Sequence, residues 1–221
     1  MHGFLSYKEH PLLLETAKIF KENNFTTISF DTTNSLGESD GQMENGTIAG
    51  YLEDLEDVIE WAKMQKWYSS SFFLVGHSMG GYCITDYAVR NINVKSLILF
   101  APKIIGDTPN EAELEELGSK GFVGWESHST PGVFKRKGYK YFEDEKNRNL
   151  LKIAENIKCP VLIIGGDNDK VIPIEQQKML FDKIKSKKEI YIFKNGDHNL
   201  EGWENSEELG NIIKNWIKYS V

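Results

Sequence analysis

Ser78 is the residue in this chain best placed to do chemistry, because of what flanks it. In Leu74-Val75-Gly76-His77-Ser78-Met79-Gly80-Gly81 a serine stands between two glycines, each two residues away. An apolar run, Phe72-Phe73-Leu74-Val75, leads into it, and a helical pattern over 80–90 leads out. A strand that turns so sharply into a helix holds its serine in a strained conformation. Side chains two positions to either side would collide, and glycine removes them. The turn lifts the hydroxyl clear of the sheet, while the helix start offers backbone N–H groups and a positive dipole end. Such a serine can attack an acyl carbon. A glycine-rich turn that only packs a helix closely on a strand would need the same glycines, but not strand and helix both in register with them.

A serine hydroxyl needs a base, and the base needs an orienting acid. Behind an elbow of this kind the order along the chain is serine, acid, histidine. His198, in Asn195-Gly196-Asp197-His198, is the histidine after Ser78 at the end of a strand-like run, 190–193. His128 has no strand leading into it and reads as a surface or lid residue. His10 reads as a surface residue near a helix start. The acid should follow the preceding strand, where 161–164 runs into Gly165-Gly166-Asp167-Asn168-Asp169. Asp167 and Asp169 are both candidates, and either could instead cap a turn or the next helix. Spacing alone does not choose between them.

These residues need a scaffold, and alternating strand-like and helix-like segments supply one. Short β-branched and aromatic runs at 25–30, 72–75, 96–100, 161–164 and 190–193 suit strands buried on both faces of a parallel sheet. Helical patterns lie between them at 12–21, 47–66, 80–90, 175–184 and 207–219, with Pro11 near the first turn of one and Thr47 as N-cap of another. The alternation predicts an α/β fold, a doubly wound, mainly parallel sheet in one domain spanning 1–221. Residues 103–151 break the pattern, with no clear strand, many charges and scattered aromatics: Phe122, Trp125, Phe134, Tyr139, Tyr141 and Phe142. A structureless loop of that length is uncommon in a compact domain, so the segment reads as an inserted lid or cap.

Composition narrows the function classes. At 221 residues with 40% apolar content, the chain can bury a substantial core, and its net charge of −7 offers nucleic acid or an anionic membrane no attraction. No apolar stretch approaches the ~18 residues of a membrane span. There is no N-terminal signal pattern, so a cytoplasmic location is expected. Two cysteines, Cys83 and Cys159, do not make a disulfide framework. The sequon Asn45-Gly46-Thr47 reads as accidental. Residues 37–41 lack the lysine and glycine spacing of a phosphate-binding loop, and a tight turn explains them better.

Taken together, the chain resembles the α/β-hydrolase superfamily, in the branch of small serine esterases that includes cinnamoyl/feruloyl esterases and monoacylglycerol-lipase-like proteins. The resemblance covers nearly everything but the cap. His2-Gly3-Phe4 resembles the oxyanion loop, Phe30-Asp31 with Gly37-Glu38-Ser39-Asp40-Gly41 the glycine-rich loop after the next strand, and Gly196-Asp197-His198 the histidine loop. The family sets its acid three residues after a glycine and two before valine or isoleucine; Gly166, Asp169 and Val171 fit, which selects Asp169. The resemblance implies Ser78 as nucleophile, His198 as general base, Asp169 as orienting acid, and the N–H groups of Phe4 and Met79 as oxyanion donors. It implies a small-molecule ester substrate and neither metal nor organic cofactor. His2 and His77 are expected to make structural hydrogen bonds beside this machinery. A thioesterase, amidase or peptidase would use the same residues, and a non-catalytic relative could retain them.

One departure from the family stands out. The strand that should deliver His2-Gly3-Phe4 would lie between those at 26–30 and 72–75, and this sequence lacks it. The chain is therefore expected to be either a naturally shortened relative or an N-terminal truncation, poorly soluble or inactive as it stands. Neighbouring strands sit ~4.8 Å apart, so the two flanking the gap should stand roughly 10 Å apart, with backbone groups turned into an empty slot. Each buried unpaired group costs about 1–3 kcal/mol.

Overall fold

The computed structural model describes residues 1–127, 130 and 132–220. Four parallel strands form the central sheet: β1 (Phe72–His77), β2 (Val94–Phe100), β5 (Val161–Gly166) and β6 (Lys188–Phe193), in that spatial order. Gly76 pairs with Leu99, Phe100 with Ile164, and Gly166 with Phe193, so the strands end level along one edge. Every loop that carries a candidate residue after β1, β5 and β6 leaves from that edge.

Helices cover both faces, as a parallel sheet requires. Alternation along β2 sends Ile98 and Phe100 to one side, against α1 (Pro11–Glu22) and α7 (Glu207–Ser220) through Leu12, Ile19, Leu209, Ile213 and Trp216. Leu97 and Leu99 face the other side, where α2 (Ile48–Lys63), α3 (Met79–Arg90) and α6 (Ile174–Lys183) pack. Trp216 Nε1–H donates to Ser96 Oγ at 2.8 Å, so the buried indole is satisfied. Pro11 occupies the first turn of α1, and the Thr47 side chain caps α2 by accepting from Gly50 N–H at 3.0 Å. Thr47, the threonine of the sequon, is thus committed to a helix cap. Cys83 and Cys159 are both buried and unpaired. Among the described residues no helix is long and apolar enough to cross a membrane.

Two expectations are corrected. The run at 25–30 is not a strand: among the described residues 26–30 make no backbone–backbone hydrogen bond, because no strand lies beside them to complete a ladder. In its place is a cavity of about 480 Å³, lined by Thr26, Ile28, Phe30, Phe73, Val75 and Leu55 among others. Its existence also leaves β1 only half-buried over 72–75, where burial on both faces was expected. At one end of the cavity Met1 pairs with the free edge of β1. Its nitrogen donates to Val75 O at 2.6 Å, and His77 N–H donates to Met1 O at 3.1 Å.

The second correction concerns 103–151, which holds more structure than its sequence suggests. Between β2 and β5 lie α4 (Glu111–Lys120), an antiparallel hairpin of β3 (Phe122–Glu126) and β4 (Phe134–Gly138), and α5 (Tyr139–Glu145). Gly124 in β3 and the charges of β4 hide the two-residue alternation. The Gly124 position is instead filled by the Phe134 ring from the facing strand. Asn110 and Glu113 form a capping box at the start of α4.

Candidate active site

Ser78 sits between β1 and α3 with φ 52° and ψ −118°, a conformation L-residues rarely adopt. Three backbone bonds hold it there: Ser78 N–H to Phe100 O at 2.9 Å, Lys103 N–H to Ser78 O at 2.9 Å, and Tyr82 N–H to Ser78 O at 3.1 Å. The flanking glycines are spatially obligatory. A Cβ on Gly76 would lie 2.6 Å from Gly80 O, and one on Gly80 would collide with the carbonyl oxygens of Met1 and His2.

The loops after β5 and β6 approach so closely that a Cβ on Gly166 would overlap the Gly196 carbonyl. That approach brings Asp169 to His198: Asp169 Oδ2 lies 2.8 Å from His198 Nδ1, and His198 Nε2 lies 2.9 Å from Ser78 Oγ. The other carboxylate oxygen, Asp169 Oδ1, accepts from the N–H groups of Val171 and Ile172 at 2.8 and 2.9 Å. Asp169 is 5% exposed, so its orientation is set by these three groups rather than by solvent. Asp167 turns elsewhere, accepting from Asn195 N–H at 2.6 Å. The two aspartates left open by spacing are therefore separated by geometry.

Beside Ser78 runs the loop of His2, Gly3 and Phe4. A Cβ on Gly3 would stand 3.0 Å from Ser78 Cβ, so the loop abuts the serine. His2 fixes it: Nδ1–H donates to Gly3 O at 2.8 Å, and Nε2 accepts from Thr32 N–H at 3.0 Å. That pattern requires a neutral ring, and burial pushes the His2 imidazole down to about 4. Met79 opens α3 and is fully buried. Among the described residues neither the Phe4 nor the Met79 N–H donates to a protein acceptor.

Two features were not foreseen, the burial of His10 and the network around Lys103. His10 caps the start of α1, yet it is buried rather than superficial, its ring stacked 5.2 Å from that of His77. His77 in turn reaches His198. Lys103, three residues past Phe100, enters a network with Glu145 Oε2 at 2.8 Å, Asp107 Oδ1 at 2.9 Å and the Tyr141 hydroxyl at 3.4 Å. Burial raises the Glu145 carboxyl above its usual range despite the ammonium beside it. No periodicity announces such a network, because Lys103 and Asp107 meet Tyr141 and Glu145 from about forty residues away. His128 lies outside the described residues. Among them no group of three or more His, Cys, Asp or Glu side chains could hold a metal ion.

The sequence profile of the Hydrolase_4 family, described as serine aminopeptidase, S33, matches residues 1–128 and 145–204. The chain belongs to this family of α/β-hydrolases. Within it, the chain is 28% identical to an uncharacterized 31.7 kDa Escherichia coli protein of the traX–finO intergenic region, over 86% of this chain and 78% of that one. It is 26% identical to the mitochondrial palmitoyl-protein thioesterase ABHD10 of Bos taurus, over 90% of this chain, and spans 65% of that relative's length. Its fold matches Est1E from Butyrivibrio proteoclasticus, solved with ferulic acid bound, at a TM-score of 0.80 with 17% identity, covering 100% of this chain and 87% of that one. The gap in the match, 129–144, falls on β4 and most of α5, where an inserted segment is free to diverge.

Proposed function

We propose that this hydrolase cleaves a carboxylic ester of a small or medium acyl substrate through a covalent acyl-enzyme. The observation that carries the reading is the hydrogen-bonded relay from Asp169 Oδ2 through the His198 ring to Ser78 Oγ. Ser78 Oγ attacks the acyl carbon as its proton passes to His198 Nε2. Asp169 holds the Nδ1–H tautomer and stabilises the imidazolium. The Phe4 and Met79 N–H groups receive the tetrahedral oxyanion, each donor worth roughly 10²–10³ in rate. The imidazolium then protonates the departing alkoxide, and a water deprotonated by His198 releases the acid. No metal enters this scheme.

Residues 103–151 would form the lid that shapes the acyl or alcohol pocket. In support, the Tyr141 ring packs 4.5 Å from Phe4, next to the proposed oxyanion donor. Phe142 is buried with it, whereas Phe134 and Tyr139 are half exposed on the outer side. The pocket half of the lid reading thus rests on Tyr141. Hydrolysis of a chromogenic short-chain ester tests the central reading: turnover should fall by several orders of magnitude in Ser78→Ala, and wild-type activity equal to that variant's would overturn it.

A thioester substrate is the second reading, favoured by the match to a palmitoyl-protein thioesterase. A panel of matched acyl esters and acyl thioesters separates the two by their kcat/KM ratio.

A further inference from the structure

His77, the residue just before the nucleophile, is buried at 4% exposure. Its Nε2 lies 2.9 Å from the backbone carbonyl oxygen of His198. A carbonyl only accepts, so Nε2 carries the proton. Burial, with His198 and His10 beside it, holds the ring well below its ordinary value and hence neutral, so Nδ1 carries the lone pair. That Nδ1 is buried without a hydrogen-bond partner, and a Cβ on Gly3 would stand 3.1 Å from it. The ring lies between two others, stacked on His10 at 5.2 Å and tilted against His198 at 4.8 Å.

These contacts close a ring of bonds. It runs from Ser78 Oγ through the His198 imidazole to the His198 backbone. It continues across the carbonyl bond to the His77 side chain, then along the peptide back to Ser78. Without the His77 link, the histidine loop is hydrogen-bonded to the elbow, among the described residues, only through the bond that must break and reform in each turnover. We propose that His77 is a positioning residue for His198: its Nε2–H fixes the His198 carbonyl and thereby the distance from Nε2 of His198 to Ser78 Oγ. The inference rests on the serine-hydrolase reading and assigns that site a further member. An error of about 1 Å in such a distance can cost roughly 100-fold in rate.

Three variants test it: His77→Leu removes the donor at similar bulk, His77→Gln returns an amide donor near Nε2, and His77→Asn places one near Nδ1, short of the carbonyl. In His77→Leu and His77→Asn, kcat should fall roughly 10- to 100-fold with KM changed less than about twofold, and His77→Gln should recover most of it. Imidazole ¹⁵N resonances of His198 should move in the Leu and Asn variants and return in Gln. A folded His77→Leu protein with wild-type kcat and unmoved His198 resonances overturns the proposal. So does an equal fall in the Leu and Gln variants, which would mark His77 as packing only. The resonances decide the matter even if the wild type cleaves no ester, an outcome that would sink the hydrolase reading by itself.

Discussion

At the scale of single residues, the site is built by small differences in where like groups point. Asp167 and Asp169 stand two apart on one loop, yet only Asp169 meets the imidazole. Its Oδ1 is held by two backbone N–H groups, so an asparagine at this position would keep its oxygen there and present its NH₂ to His198 Nδ1. The ring would be forced to accept at Nδ1 and to carry its proton at Nε2, the nitrogen that receives one from Ser78 in the proposed mechanism. Asp169→Asn should therefore lower kcat by about 10⁴ with little change in thermal stability. Asp167→Asn leaves the ring untouched and should stay within threefold of wild type. Steady-state ester hydrolysis of both variants checks the pair, and comparable losses would contradict the assignment.

Among elements, the segment between β2 and β5 is tied to Ser78 through Lys103, by charge as well as by packing. Lys103 lends its backbone N–H to Ser78 O and its side chain to Glu145 at the end of α5. The Glu145 side chain is fully buried, with Oε1 lacking any partner, while Asp107 shares the same ammonium from a half-exposed position. Removing the cation leaves a buried carboxylate uncompensated, a loss of about 3–5 kcal/mol. Lys103→Met should show it in urea unfolding, and adding Glu145→Gln should recover a large part by removing the orphaned charge. If the double variant is no more stable than the single one, the pair is not what holds α5 to the sheet. The hairpin β3–β4 shows the limit of pattern reading at this scale. Its strands do not show in the pattern because Gly124 interrupts one and Lys135-Arg136-Lys137 fills the other with charge, although Lys137 is held over the Phe142 ring at 4.6 Å and paired with Glu113 at 2.9 Å.

For the whole molecule, the cavity beside β1 is the dominant irregularity. Residues in a strand alternate sides, and Val75 and His77 face Met1, so Phe73 turns its N–H and C=O the same way, into the cavity. β2, by contrast, is paired on both edges and buried throughout its apolar run. Backbone groups without ladder partners open at low free-energy cost. Native-state hydrogen exchange should therefore find the amides of Phe73 and Val75 exchanging orders of magnitude faster than those of Ile98 and Leu99. Equal protection would mean that the cavity is closed by a pairing absent from this arrangement.

What could be read from the chain alone was whatever depends on local sequence. Ser78 was legible because strand, glycines and helix adjoin it, and five helices announced themselves by period and cap. His198 followed from its place after an apolar run. The rest depends on distant residues meeting. Whether residues 25–30 form a strand is settled by a neighbour to pair with, not by β-branched side chains, and among the described residues no strand pairs with them. The approach of Gly166 to Gly196 turns one aspartate rather than the other towards the ring. His77 meets the His198 carbonyl, and Lys103 meets Tyr141, only when segments 121 and 38 residues away fold over them. Contacts between segments so far apart leave no spacing in the sequence, because each depends on the relative placement of whole elements, which only the packed sheet and its helices set.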